Sequence, residues 1–186
     1  MFAATSILLA LAASALAAPT PRDVPTENCT SIASGQLATE TGEPVSLDDS
    51  GKLVYGGSLA VEWQTCTPNF GNYPEEGHIY VPSLSKCLYI ASPGEAGPYA
   101  VTTGDCSLTN DSSQTFLNFV DQGNGLYWAG ITNASGTQVH DPSGTCPAGF
   151  YGPSSTATSG PVGLQCSTLS DTVGFQLTNS EASAPA

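Results

Sequence analysis

Hydrophobic and polar residues alternate along this chain in short runs, and past residue 17 no run of helical period reaches normal helix length. The clearest stretch is 77–116. Ile79 and Val81 alternate with other positions, then Leu84 follows, and they predict a strand. A polar turn at 83–86 follows, then a second strand at 87–91. The Pro/Gly loop 93–98 leads to a third strand at 99–103, closed by Cys106 and followed by Gln114-Thr115-Phe116. Upstream, Val45-Ser46-Leu47 and Leu53-Val54-Tyr55 flank Asp48-Asp49-Ser50-Gly51. That is a hairpin turn in which Asp side chains bond following amides and Gly51 accepts positive φ. Residues 59–63 predict a further strand, ending at Cys66. Strands this short, punctuated by Pro, Gly and Ser, predict an all-β chain.

The pattern repeats. Ala60-Val61 precedes Cys66 at the same offsets as Ala100-Val101 precedes Cys106, and Pro161-Val162 precedes Cys166 with one residue fewer. Gly77-His78-Ile79-Tyr80 has a counterpart in Gly125-Leu126-Tyr127-Trp128. Three units of roughly 50 residues fill 29–179 and predict a closed array of similar β units. Closure removes free sheet edges, which a chain this poor in Lys needs.

Composition adds a compartment. Residues 3–17 are apolar and small and end in Ala15-Leu16-Ala17, which reads as a signal peptide over 1–17. Residues 18–28 are a Pro-rich leader, 29–179 the folded domain, and 180–186 a disordered tail. The six cysteines all follow the signal, and their even number suits disulfides in an oxidising compartment. No pair has C-x-x-C spacing, and neither histidine lies near a cysteine in a ligand pattern, which argues against zinc. Sequons at Asn28, Asn110 and Asn133 are compatible with glycosylation in a secreted chain. Three Lys and Arg against sixteen Asp and Glu leave a net charge of −13. Such a surface repels phosphate backbones and anionic membranes, so nucleic acid is excluded as a partner. No other apolar run is long enough to insert in a membrane.

The order Ile79, Cys87-Leu88, Cys106, Gln114-Thr115-Phe116 resembles one unit of a ricin-B-type β-trefoil. There an Ile is followed by Ser-Gly-x-Cys-Leu-Asp, a second cysteine and Gln-x-Trp. In the third unit 131–136 resembles the first part, but Gln138 stands at the cysteine position and Val173-Gly174-Phe175 replaces Gln-x-Trp. The first unit keeps little beyond the strand before Cys66. The chain as a whole is also similar to secreted trefoil-like proteins of mushroom-forming fungi. The resemblance implies a β-trefoil with a Cys87–Cys106 disulfide. By position, Cys146–Cys166 and Cys29–Cys66 would be the others, among fifteen possible connectivities.

Many members of that family bind galactose-type sugars, with a carboxylate for two hydroxyls and an aromatic face for the sugar ring. The Asp position holds Tyr89 in the second unit and His140 in the third. The stacking positions hold Gln64, Gly104 and Leu164. No unit keeps the full set. Two other clusters are candidates for binding. One is Glu62, Trp63 and Gln64, although alternation turns Trp63 away from its neighbours. The other is Trp128 with His140 and Asp141, although 141–144 also reads as a solvated turn. No G-x-S-x-G and no Gly-rich phosphate loop is present, so neither catalysis nor a cofactor is expected. The expectation is a secreted, non-catalytic binding protein, lectin-like, whose partner is a glycan or a secreted protein. The alternatives are a trefoil protease inhibitor presenting 93–98 or 146–160, and an effector or cell-wall protein.

Overall fold

In a computed structural model the chain is described over residues 25–71, 73–132, 138–140, 146, 149–168 and 170–182. The expected signal peptide, most of the leader, Asn133 and Asp141 lie outside these residues. The fold is all-β, with 50% strand and 4% helix.

The strands are β1 (Asn28–Thr39), β2 (Val45–Leu47), β3 (Leu53–Tyr55), β4 (Ala60–Thr67), β5 (Glu76–Val81), β6 (Lys86–Ile90) and β7 (Tyr99–Gly104). They continue with β8 (Phe119–Asp121), β9 (Leu126–Trp128), β10 (Ile131–Thr132), β11 (Gln138–His140), β12 (Tyr151–Pro153), β13 (Gly163–Cys166) and β14 (Phe175–Ala182). A 3-10 turn, Ser112–Phe116, is capped by Asp111, whose carboxylate accepts from the Ser113 amide.

The sheet closes on itself. β1 pairs with β4, β4 with β5, β5 with β8, β8 with β9, β9 with β14, and β14 with β1. A wider circuit of nine strands runs through β6, β7, β13 and β12. The hairpin regions meet at one end through bridges Lys52↔Thr102, Val54↔Pro161 and Gly163↔Ala100. The β2–β3 turn forms as its residues dictate: Asp48 Oδ1 accepts from the Ser50 and Lys52 amides at 2.8 and 2.9 Å, and Gly51 has φ +79°.

Most of the alternating apolar positions point inward. Val61, Val101 and Val162, the repeated residue before a cysteine, are each at most 2% exposed. Leu84, expected on the first strand of its unit, instead sits in the turn after β5 and is exposed. Trp128 packs against Tyr99 and Tyr151, ring centroids 4.8 and 5.1 Å away, and its indole N–H donates to the Thr115 carbonyl at 2.7 Å.

Three disulfides are present, Cys29–Cys66, Cys87–Cys106 and Cys146–Cys166, the set that the family resemblance implies. Their places differ. Cys87–Cys106 and Cys146–Cys166 staple the β6–β7 and β12–β13 regions, whereas Cys29–Cys66 joins register partners on β1 and β4. The similar offsets before Cys66, Cys106 and Cys166 therefore do not mark one equivalent strand, and the first unit's hairpin, β2–β3, carries no disulfide.

The domain boundaries move outward at both ends. Thr26 bridges Thr109, the Glu27 amide donates to the Leu108 carbonyl, and Glu27 is buried, so the fold begins inside the expected leader. β14 runs past Asn179, pairing Glu181 with Ser34 and Ala182 with Ala33, so the expected tail is strand as far as Ala182. Both extensions give partners to backbone groups that would otherwise line an open edge.

Gly77 is the tightest seam. It pairs with Thr65 on β4 and Phe119 on β8, and a Cβ there would lie 1.7 Å from the Gln64 carbonyl oxygen. Gly77→Ala must push two ladders apart and is expected to lower stability by about 3 kcal/mol. Urea denaturation checks this; an unchanged midpoint would mean that the seam yields without cost.

Candidate functional site

The residues singled out in the sequence do not come together as one site. Glu62 and Gln64 lie on the outer face of β4, where both reach the Ser31 hydroxyl, which donates to the Glu62 carboxylate and accepts from Gln64 Nε2 at 3.2 Å. Trp63 faces the other way and is 3% exposed, with Ala33 and Ile79 as register partners. Trp128 is 1% exposed and belongs to the core. The backbone of His140 pairs with Ile131. Of the sequons, Asn28 is exposed and Asn110 half-buried.

In the second unit the position that the ricin-B resemblance assigns to a sugar-stacking aromatic is filled from within. A Cβ on Gly104 would lie 2.9 Å from the Tyr89 ring, and that ring stacks on Phe116 with centroids 5.1 Å apart and planes 8° apart. The residue at the Asp position covers the place where a sugar-stacking aromatic would stand.

The chemistry gathers elsewhere, at the end of the closed sheet where β1 begins, β4 ends and β5 begins. A cleft of about 510 Å³ is lined by Thr65, Cys66, Asn69, Tyr73, Glu75 and Glu76, with Ile32 at its edge. Ile32 is 43% exposed, and Tyr73 is half-buried with its ring edge-on to Phe150, centroids 5.5 Å apart. Glu75 is exposed and held at φ +57°, a left-handed backbone that disfavours a side chain of this kind. Asn69 is fixed by its own amide, which donates to the carbonyls of Cys66 and Tyr73 at 3.4 and 3.2 Å.

Behind the cleft lie two buried carboxylates. Glu76 accepts from the amides of Gly71 and Tyr73 at 3.3 and 3.2 Å, and from the Asn118 side chain. Gly71 is required there, since a Cβ would come 2.7 Å from both Glu76 oxygens. Glu27 is 3% exposed, and neither of its carboxylate oxygens has a hydrogen-bond partner of normal geometry. Burial, then the charge of Glu76 and more weakly that of Asp111, pushes the Glu27 carboxyl up to about 7; the nearby Phe70 amide offsets only part of this. Burial also raises Glu76 to about 7, against the three donors that favour its charged form. Among the basic residues, Lys52 lies in the β2–β3 hairpin and Lys86 pairs with the far end of β5, so neither neutralises the pair.

His78, fully buried on β5, sits beside them. Its Nδ1 is 3.8 Å from Sγ of both Cys29 and Cys66, and its Nε2 is 2.7 Å from Gln114 Oε1. Gln114 Nε2 donates to the carbonyls of Ser107 and Thr109, which leaves Oε1 as an acceptor and puts the histidine proton on Nε2. Burial lowers the His78 pKa, partly offset by Gln114, which favours the neutral ring. Spacing along the chain shows no ligand pattern between histidine and cysteine, yet the fold brings His78 beside both sulfurs. Strand register makes this contact: Cys29 opposes Cys66, and Gln64, two residues before Cys66, opposes His78.

Sequence reading missed Glu27, Asn69, Tyr73, Glu75, Glu76 and His78. The available signal was local: 68–76 reads Pro-Asn-Phe-Gly-Asn-Tyr-Pro-Glu-Glu, a loop dense in turn formers with an aromatic and two acids.

The two raised carboxyls fix a pH dependence. Their folded pKa of about 7 exceeds the ordinary value of 4.5, so the folded state binds more protons than the unfolded state between these limits. The contribution to stability is full below about pH 4.5 and is lost as pH rises through about 7. Denaturation midpoints are expected to fall over that window, and less steeply in Glu27→Gln; a midpoint that rises with pH in the native chain would contradict the assignment.

Comparison with protein-family models, with curated proteins and with solved structures returned no match.

Proposed function

We propose that this chain is a secreted, non-catalytic carbohydrate-binding module of β-trefoil architecture, whose glycan seat is the Tyr73 cleft rather than the family's usual positions. The trefoil reading is supported by the circuit β1–β4–β5–β8–β9–β14 and by three hairpin regions that bridge one another at one end. The secreted reading is supported by three disulfides.

The observation that carries the ligand class is the lining of the cleft. The Tyr73 ring and Ile32 offer apolar surface to the C–H face of a sugar. Exposed Glu75, with Thr65, Thr67 and Asn69, offers acceptors and donors to its hydroxyls. Binding without catalysis fits the carboxylates behind them. Glu76 is committed to three donors and Glu27 is enclosed, so neither stands open to a scissile bond. Protease inhibition is the second reading, favoured by the exposed loop 94–98 between β6 and β7.

A glycan array, followed by calorimetry on the best oligosaccharide, tests the reading. Tyr73→Ala is expected to weaken binding about tenfold, and Glu75→Ala by a similar factor. No signal on any glycan at micromolar protein removes the proposal, and inhibition of one member of a protease panel would replace it with the second reading.

A further inference from the structure

We propose that the Cys29–Cys66 disulfide masks a four-ligand zinc site, completed by His78 and Glu27, which opens when that disulfide is reduced. This rests on the buried cluster and does not depend on the glycan reading.

One donor atom from each of Glu27, Cys29, Cys66 and His78 lies within 4.8 Å of the other three. In a tetrahedral site with sulfur at about 2.3 Å and nitrogen or oxygen at about 2.0 Å, donors stand about 3.3–3.8 Å apart. The widest separations need to contract by about an ångström, and the two sulfurs, bonded to each other in the disulfide, need to part to about 3.8 Å.

The orientation of each donor fits a metal ligand. His78 gives its Nε2 proton to Gln114, so the lone pair on Nδ1 faces two sulfurs that carry no proton to donate. A ligating histidine is usually held this way, by a second hydrogen bond from its remote nitrogen. Gln114 is itself fixed by Ser107 and Thr109. The Glu27 carboxylate, nine-tenths and more buried, has no hydrogen-bond partner of normal geometry for either oxygen. Two unpartnered lone-pair donors converging in a closed space call for a proton or a cation.

The backbone would survive the change. Cys29 and Cys66 are register partners in the β1–β4 ladder, whose hydrogen bonds hold their Cα positions when the sulfurs part. A reductant can approach from the cleft, which Cys66 lines. With a trialkylphosphine the chemistry balances as follows. Phosphorus attacks one sulfur and the S–S bond breaks. Water supplies the oxygen that leaves as phosphine oxide, and its two protons end on the two sulfurs. Zinc then displaces both thiol protons and takes Sγ of Cys29 and Cys66, Nδ1 of His78 and one Glu27 oxygen. The staple between β1 and β4 becomes a metal staple that also reaches β5.

The test uses the full chain, oxidised and after limited phosphine treatment, with cobalt(II) as a spectroscopic probe. The reduced chain is expected to bind one cobalt, with thiolate-to-metal charge transfer and tetrahedral d–d bands that zinc abolishes; the oxidised chain is expected to show neither. Gln114→Leu, which releases the remote nitrogen, should weaken cobalt about 10–100-fold. His78→Ala should weaken it at least as much. Alkylation mapping should find that zinc shields Cys29 and Cys66 and not the other four cysteines. Should reduction loosen the fold, zinc is expected to restore near-ultraviolet dichroism. The proposal is overturned by any of four results: no charge-transfer band, equal affinity in His78→Ala, shielding centred on other cysteines, or a reduced chain that zinc does not refold.

Discussion

The pairing of β1 with β4 is the contact on which the rest of the molecule depends. β1 is bonded along both edges, to β4 and to β14, and so ties the first unit to the last. Without it neither circuit of strands closes, and the chain becomes an open sheet with two bare edges. The same register sets Cys29 against Cys66 and brings the start of β5 beneath them. Closure of the fold and assembly of the Glu27–His78 cluster are consequences of one ladder.

That cluster sits at odds with the surrounding protein. Elsewhere the interior is mostly aliphatic and aromatic, and the Trp128 indole within it donates to the Thr115 carbonyl. Here two carboxylates are enclosed beside a buried imidazole, the charge of Glu76 raises the proton affinity of Glu27, and neither Glu27 oxygen has a hydrogen-bond partner of normal geometry. Burying such groups is unfavourable unless a proton or a cation accompanies them. The strained backbone at Glu75, on the rim of the same cleft, adds to the concentration of unfavourable local choices at this end. Consistency between local preference and global fold breaks down mostly where a protein binds something.

Much of the architecture was legible from the chain. Period-two alternation at Ile79 and Val81, the Asp48–Gly51 turn and the absence of helical periodicity each reflect local physics, and each has its counterpart in the structure. The limits of the domain were less legible. Residues 26–28 and 180–182 carry no apolar pattern, and their order comes from backbone pairing with Leu108, Thr109, Ala33 and Ser34. The repeat around Cys66, Cys106 and Cys166 misled, because near-identical offsets occur on a strand of the shorter circuit in one unit and on hairpin strands in the others.

The sequence by itself determined the all-β class, the acidic surface and the inward set of apolar residues, because alternation, turn chemistry and charge are properties of neighbours along the chain. The tertiary structure decided which side chains meet. His78 lies 12 residues from Cys66, 49 from Cys29 and 36 from Gln114. Glu27 and Glu76 come from opposite ends of the first unit and its successor. Those contacts arise from register across closed strands, and register is a global solution that no local stretch encodes.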